Sequence, residues 1–510
     1  MTAVWYRFRA ELRTRGRAWL GLGLVVGLAA GAVLALAAGA RRTDSVYSRF
    51  LKAQNAYDVL VVNYPEDGTA VFDLDELERL PQVADAARAD YEYFTFSAAN
   101  LASEDGRIGT DMNRFKLLEG RRPHPDDPGE IVVGFVLAEK HGIRLGDTVD
   151  FLPPELVEHL RSPETTENPF PDELGPDELA GLRSFVDEVP DGELRVVGIE
   201  AAPGEFPPQF QLNRPLVHLT PAFARILPES EHEALMVRLH GGSAAVEDFV
   251  AELDERSGGL PLQVSSQRDH AAAVERSIHL QALALWLLAG LTAVAALLIV
   301  EQLLARLSAI ESAERSILAA LGMAPHHQFA LGVLRTATIG IVGGVVGVGG
   351  AVAASPLFPT GLARTAEPAG GFDADLSVLL LGAGLTVVLI VALSVWPVWR
   401  LARATGAATA ASEVETRPSR FGRLLAGAGI PTAVAVGIRM ALEPGRGRSA
   451  IPVHSTLGGV ALGIAALTAA LTFGASLDHL LDTPCLYGVT WDLEVGGSRS
   501  ERRGNRIAAG

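Results

Sequence analysis

The chain has 510 residues, of which 48% are hydrophobic, and carries a formal net charge of −17. Its single cysteine, Cys485, excludes an intramolecular disulfide and any metal site built on paired cysteines. The acidic balance argues against nucleic acid as a partner, since phosphate neutralisation needs cationic surface, and apolar residues gathered into long runs are not the pattern of a water-soluble globule.

Charges are absent from residues 19–40, 280–300, 336–362, 376–399 and 455–477. Each run reaches the roughly 20 apolar residues that a helix needs to cross about 30 Å of hydrocarbon. Five spans are therefore predicted, at 19–40, 280–303, 329–354, 375–398 and 455–477, with no charge in the middle of any of them. The first is too long for the core of a cleaved leader and is read as an uncleaved anchor. In the basic segment 1–18, Arg7, Arg9, Arg13, Arg15 and Arg17 stand against Glu11 alone, which places that end in the cytoplasm. Arg41 and Arg42, beyond the span, weigh weakly the other way.

Residues 41–279 then lie outside the membrane. From 41 to 276 there are 45 acidic and 22 basic side chains, a balance of −23, so the acidity of the chain resides here. A solvated surface explains it; a cationic substrate is the alternative. Short β-branched runs bounded by Gly, Pro and Asp recur at 57–62, 130–133, 147–151, 194–199, 215–219 and 235–239. Helix-like stretches at 73–80, 136–141 and 243–255 alternate with them, which predicts an α+β domain. The segment 153–192, rich in Pro, Glu and Asp, reads as a solvated or partly disordered acidic insertion.

Past the second span, Leu303, Leu307, Ile310, Ile317, Leu318 and Leu321 continue an apolar stripe at helical spacing, and Gly322 and Pro325 stop it. The segment 304–328 is placed in the cytoplasm as an amphipathic helix and loop, which could also rest on lipid headgroups. Gly23, Gly27 and Gly31 share one face of the first span, and the pairs Gly340/Gly344 and Gly343/Gly347 share faces of the third, a spacing that lets helices approach closely in lipid. The turn at 355–374 returns outside the membrane, the arginine-rich 399–454 lies inside, and 478–510 begins a second outer domain. Residues 39–62 and 473–495 repeat one layout, a span that emerges through a short helix into a strand, which predicts parallel halves with the second cut short.

Two segments carry a family resemblance. Residues 118–151 read LEGRRPHPDDPGEIVVGFVLAEKHGIRLGDTVDF, similar to the extracytoplasmic core of MacB-like permeases, with Ala138, Gly142, Leu145, Gly146 and Asp147 filling its helix–turn–strand pattern. Residues 195–201, RVVGIEA, resemble the strand that closes the same subdomain. Residues 311–328 read ESAERSILAALGMAPHHQ and resemble a stretch of FtsX-like permeases, matching at Glu314, Ile317, Leu318, Ala320, Leu321, Gly322 and Gln328. SPLFPTGLAR, 355–364, resembles a segment of actinobacterial members and reads as a rigid turn.

The resemblance implies an α-helical multi-span protein of the cell membrane with an α+β extracytoplasmic domain, acting as the permease subunit of an ABC transporter by mechanotransmission. Glu314, Arg315, Ile317, Leu318, Leu321 and Gly322 would form the coupling segment for a cytoplasmic ABC ATPase. ATP would be bound by that partner, with no cofactor, metal or catalytic residue in this chain. The remaining implied partners are membrane lipids, a second half in a dimeric or pseudo-dimeric assembly, and an extracytoplasmic protein or lipid substrate. An FtsX-type scaffold that activates a cell-wall hydrolase without transport is the alternative. The residues agree with a non-enzymatic role: no G-x-x-x-x-G-K-[ST] loop and no H-E-x-x-H occur, and the adjacent His326 and His327 are expected on different helix faces.

Overall fold

A computed structural model describes residues 2–63, 72–92, 99–103, 105–151, 154–161, 176–189, 192–206, 216–226, 233–258, 260, 262–404 and scattered positions from 458 to 483. The chain divides into two compact units. The helical unit takes residues 1–42, 281–358 and 371–492, and the sheet unit takes 43–280, 359–370 and 493–510. The predicted cytoplasmic linker 399–454, the fifth span and the second copy of the repeat fall almost entirely outside the described residues.

Twelve helices are described, α1 (Thr2–Asp44), α2 (Val46–Ala53), α3 (Asp75–Glu78), α4 (Phe135–His141), α5 (Pro154–Arg161), α6 (Pro176–Glu188), α7 (Pro221–Ile226), α8 (Val246–Ser257), α9 (Gln267–Ala320), α10 (Pro325–Ala354), α11 (Leu362–Thr365) and α12 (Leu376–Ala404). The strands are β1 (Val59–Asn63), β2 (Val83–Glu92), β3 (Ala99–Ala102), β4 (Lys116–Gly120), β5 (Glu130–Gly134), β6 (Thr148–Asp150), β7 (Glu193–Ala201), β8 (Leu216–His218), β9 (Glu233–Leu239) and β10 (Leu262–Ser266).

Among the described residues four helical segments are long and apolar enough to cross a membrane: Val4–Asp44, Gln267–Leu304, Pro325–Leu357 and Leu376–Ser394. They coincide with the first four predicted spans. The helices overrun those spans: residues 2–18 are part of α1, and α9 begins before residue 280 and continues to Ala320.

The helical unit is held by its glycines. A methyl added at Gly23 would lie 2.6 Å from Val342 Cγ1, and one at Gly27 2.5 Å from Val346 Cβ. From the other side, Gly343 and Gly347 receive Val26 and Ala30 of α1, while Gly340 and Gly344 receive Val387 and Ala383 of α12. The two glycine stripes of α10 thus serve two neighbours. Val4, Phe8, Trp19, Val300, Leu304, Leu331, Ile339 and Ile390 pack together at the end where α1 begins.

In the sheet unit one ten-stranded sheet runs β10-β1-β9-β2-β3-β8-β5-β7-β4, with β6 paired to β7. Its pairs are antiparallel except β3 with β8 and β5 with β7. Successive side chains on a strand point to opposite faces, and the cores follow that rule. Leu60 and Val62 of β1 join Met236 on one face, whereas Val59 and Val61 join Leu235 and Val237 on the other. β5 is buried throughout for the same reason, with Ile131 and Val133 in one cluster and Val132 in another.

The expectation of a solvated insertion fails where that insertion is described. α6 buries Leu182, Phe185 and Val186 against Ile131, Leu194 and Phe223, and Phe185 stacks edge-on to Phe151 and Phe223. Its apolar stripe is narrow and the surrounding acids mask it in composition. Residues 162–175 of the insertion lie outside the described residues.

Candidate functional site

Of the residues expected to couple to an ATPase, all lie at the joint between α9 and α10. Glu314, Arg315 and Ile317 are in the last turns of α9, and their side chains are outside the described set. Leu318 is half-buried, and Leu321 is 78% exposed. The helix ends at Ala320, so Leu321 is not its next apolar position, as the spacing predicted, but sits in the turn that follows.

That turn is dictated locally. Gly322 adopts φ +87, which an L side chain rarely takes, and Met323 N–H donates to Leu318 O at 3.0 Å, closing the helix end with a six-to-one bond. Ala324 is extended and Pro325 opens α10 at its first position, where a missing N–H costs nothing. Gln328 Nε2 donates back to Met323 O at 3.2 Å. The imidazoles of His326 and His327 have centroids 4.1 Å apart, correcting the expectation of separate faces: in a helix's first turn no preceding turn confines them. Among the described residues no group of His, Cys, Asp and Glu could hold a metal ion.

A second feature was not foreseen. Arg335, inside the predicted third span, is 7% exposed and donates from Nε to Glu11 Oε2 at 2.6 Å, with Nη2 2.5 Å from Oε1. Arg7 Nε donates to the same carboxylate at 2.8 Å. The span therefore does contain a charge, paired because an uncompensated ion there would be expensive. Glu11, read as the lone acid among the N-terminal arginines, is the partner of both.

At the opposite end of α1, Arg42 donates from Nη1 to Ser355 Oγ at 3.2 Å and to Gly371 O at 3.1 Å, and lies 3.8 Å from Asp373. Arg41 reaches Ser377 Oγ at 2.6 Å and Asp375 at 3.2 Å. Both arginines are neutralised locally, which is why they do not weigh as free positive charge.

Between Ser355 and Gly371 the chain leaves the helical unit, and residues 359–370 belong to the sheet unit. There Ala363 and Ala366 are fully buried beside Val46, Tyr47, Phe50, Val274 and Ile278. Glu367, 2% exposed, takes a two-pronged ion pair from Arg49 with both contacts at 2.9 Å. Lys116 Nζ donates to Thr365 O and Glu367 O at 2.8 Å, covering the exposed carbonyls at the end of α11. In the turn at 355–364, expected to be rigid, Gly361 takes φ +60.

The helix–turn–strand residues of 118–151 have structural work. Gly142 ends α4 at φ 68, Gly146 takes φ 88 and donates to Val196 O at 2.9 Å, and Asp147 Oδ2 accepts from Arg144 N–H at 2.7 Å.

No family model matches the chain, and no curated protein matches it. Among solved structures it is similar to the periplasmic region of MacB from Actinobacillus actinomycetemcomitans, with a TM-score of 0.24 and 11% identity, over 44% of this chain and 95% of that one.

Proposed function

We propose that this chain is the permease subunit of an ABC transporter of FtsX/MacB type, anchored in the cell membrane with its N-terminus in the cytoplasm. Chain order supports this reading. The ten strands precede α9 in the chain, the α9–α10 joint follows it, and α9 contains the apolar segment Gln267–Leu304. A helix rises about 1.5 Å per residue, enough here to cross the bilayer, so a spanning α9 puts the sheet outside and the joint inside. The exposed Leu321, held by the Gly322 turn, is the single observation that points to a partner there.

In this reading a separate cytoplasmic ATPase binds ATP and docks on 311–328, and movement passes through α9 to the sheet unit. The substrate is a lipid, lipoprotein, peptide or hydrophobic compound, exported or extracted by a dimeric or pseudo-dimeric assembly. The chain has no ATPase site of its own.

Burying a leucine side chain contributes about 1.5 to 3 kcal/mol, and each 1.4 kcal/mol is tenfold in affinity. Co-purification of the cognate ATPase should therefore fall at least tenfold with Leu321→Glu. Arg315→Ala should cost roughly 0 to 1 kcal/mol if it makes only a surface ion pair. Undiminished ATPase binding by a normally inserted Leu321→Glu protein returns the joint to a lipid-surface role.

A further inference from the structure

The sheet unit contains three buried ionisable side chains that the transport reading does not use. Glu200, at the end of β7, is fully buried; His218, at the end of β8, is 4% exposed; Glu205, in the short turn Pro203–Glu205 after β7, is 1% exposed. Glu200 Oε1 is hydrogen-bonded to His218 Nδ1, and Glu205 Oε2 accepts from Ala202 N–H at 2.9 Å. Among the described residues, Glu200 Oε2, Glu205 Oε1 and His218 Nε2 have no hydrogen-bond partner. Unpaired buried polar atoms are costly, and three in one place mark a site that takes something. No set of ligands for a metal ion is present among the described residues.

We propose that Glu205, Glu200 and His218 form a proton-binding site, with the proton held on Glu205 Oε1, and that the attachment of α2 to the sheet depends on its occupancy. Burial drives the Glu205 carboxyl well above its ordinary value, and the neighbouring Glu200 pushes it further. Burial also raises Glu200, against the opposing pull of His218 and Arg122. Two buried carboxyls that act on each other are kept most cheaply when at least one is neutral.

The surroundings offer little other compensation. Arg122 lies over the Phe115 ring at 4.5 Å, and Phe115 packs on His218. On β4, Lys116 is engaged by the carbonyls of Thr365 and Glu367, and Glu119 is exposed. From α2, Tyr47 donates its hydroxyl to Pro203 O at 3.0 Å, and Gln267 at the start of α9 donates to that hydroxyl. Glu275 of α9 acts on Tyr47 through its charge, and Tyr57, buried before β1, completes the set. Burial raises both phenols, so they stay neutral.

Loss of the Glu205 proton to solvent puts a buried negative charge near Glu200, whose own ionisation burial already opposes. The turn that carries Glu205 also carries Pro203, which holds Tyr47, and leads into Phe206, which stacks on Tyr47 and Phe50. Repulsion at the cluster therefore loosens the seat of α2. The folded chain binds this proton more tightly than the unfolded chain does, so its stabilisation is complete below the ordinary glutamate range and is lost as pH rises through the folded value.

The test is amide hydrogen exchange of residues 46–53 and 202–206 in the full chain in lipid nanodiscs, from about pH 6 to pH 9, corrected for intrinsic exchange. One linked proton predicts an opening equilibrium that rises up to about tenfold per pH unit between the ordinary glutamate range and the folded Glu205 value, and levels off above it. Glu205→Gln, which keeps the acceptor for Ala202, should lose most of the pH dependence, and Glu119→Gln should behave as the wild type. If Glu205→Gln does not insert, Glu200→Gln serves instead and should move the transition to lower pH. A wild-type profile without pH dependence, an equal dependence in Glu205→Gln, or an unmoved transition in Glu200→Gln overturns the proposal.

Discussion

Glu130 shows how one residue gathers several physical effects. Register pairs it with Arg195 across β5 and β7, so Arg195 Nη2 reaches its carboxylate at 2.7 Å. Arg121 adds a two-pronged pair and His124 N–H a bond at 3.0 Å. The Arg121 hydrogen bond, helped by the others against burial, lowers the carboxyl from 4.5 to about 2. A depressed folded value means stability that is present above the unfolded value and lost as pH falls from 4.5 through about 2. At about 1.4 kcal/mol per unit the effect is at most about 3 kcal/mol, less because both arginines face solvent. Urea unfolding should show the wild type losing this increment between about pH 6 and pH 2.5, while Glu130→Gln, lacking it, loses less.

At the scale of elements, helix approach dominates one unit and strand pairing the other. Close packing is what remains to drive association of helices in lipid. Gly27→Leu would place a side chain where Val346 and the Gly343 carbonyl already stand. Overpacking of this kind costs about 1 to 3 kcal/mol or more. Gly349, where an added Cβ would meet nothing within 4 Å, supplies the control. Thermal unfolding in detergent should fall by several degrees for Gly27→Leu and change little for Gly349→Leu.

These stripes were legible because glycine spacing is itself the signal, as were β1 and β5, whose β-branched runs declare two buried faces, and β7, whose first residues alternate between exposed and buried. β2 was not. Its VADAARADYE has few strand formers, and it is extended because β9 pairs along its length and β3 pairs at its end. Likewise the Gly322 stop could be seen locally, whereas Glu11 finds Arg335 from 324 positions away and Arg49 finds Glu367 from 318. No local pattern announces such pairs.

For the molecule as a whole, the proposed sidedness yields a topological expectation. In a background with Cys485 replaced by serine, an impermeant thiol reagent applied to intact cells should label cysteines placed at Glu119 or Glu247 and miss those placed between 405 and 445. Labelling of the second group would overturn the sidedness proposed above.

The pinning of Ser355 and Gly371 by Arg42 also makes this region a practical site for a graft. The ends of the excursion are fixed by one guanidinium, and its middle is fixed by Glu367 and the two buried alanines. Added length between fixed points is inexpensive, since doubling a flexible loop costs only about 0.6 kcal/mol. Gly370 and Gly371 are exposed, and a Cβ added at either would meet nothing within 4 Å. An affinity tag spliced between them would give the chain a purification handle between α10 and α12 while leaving both anchorages intact.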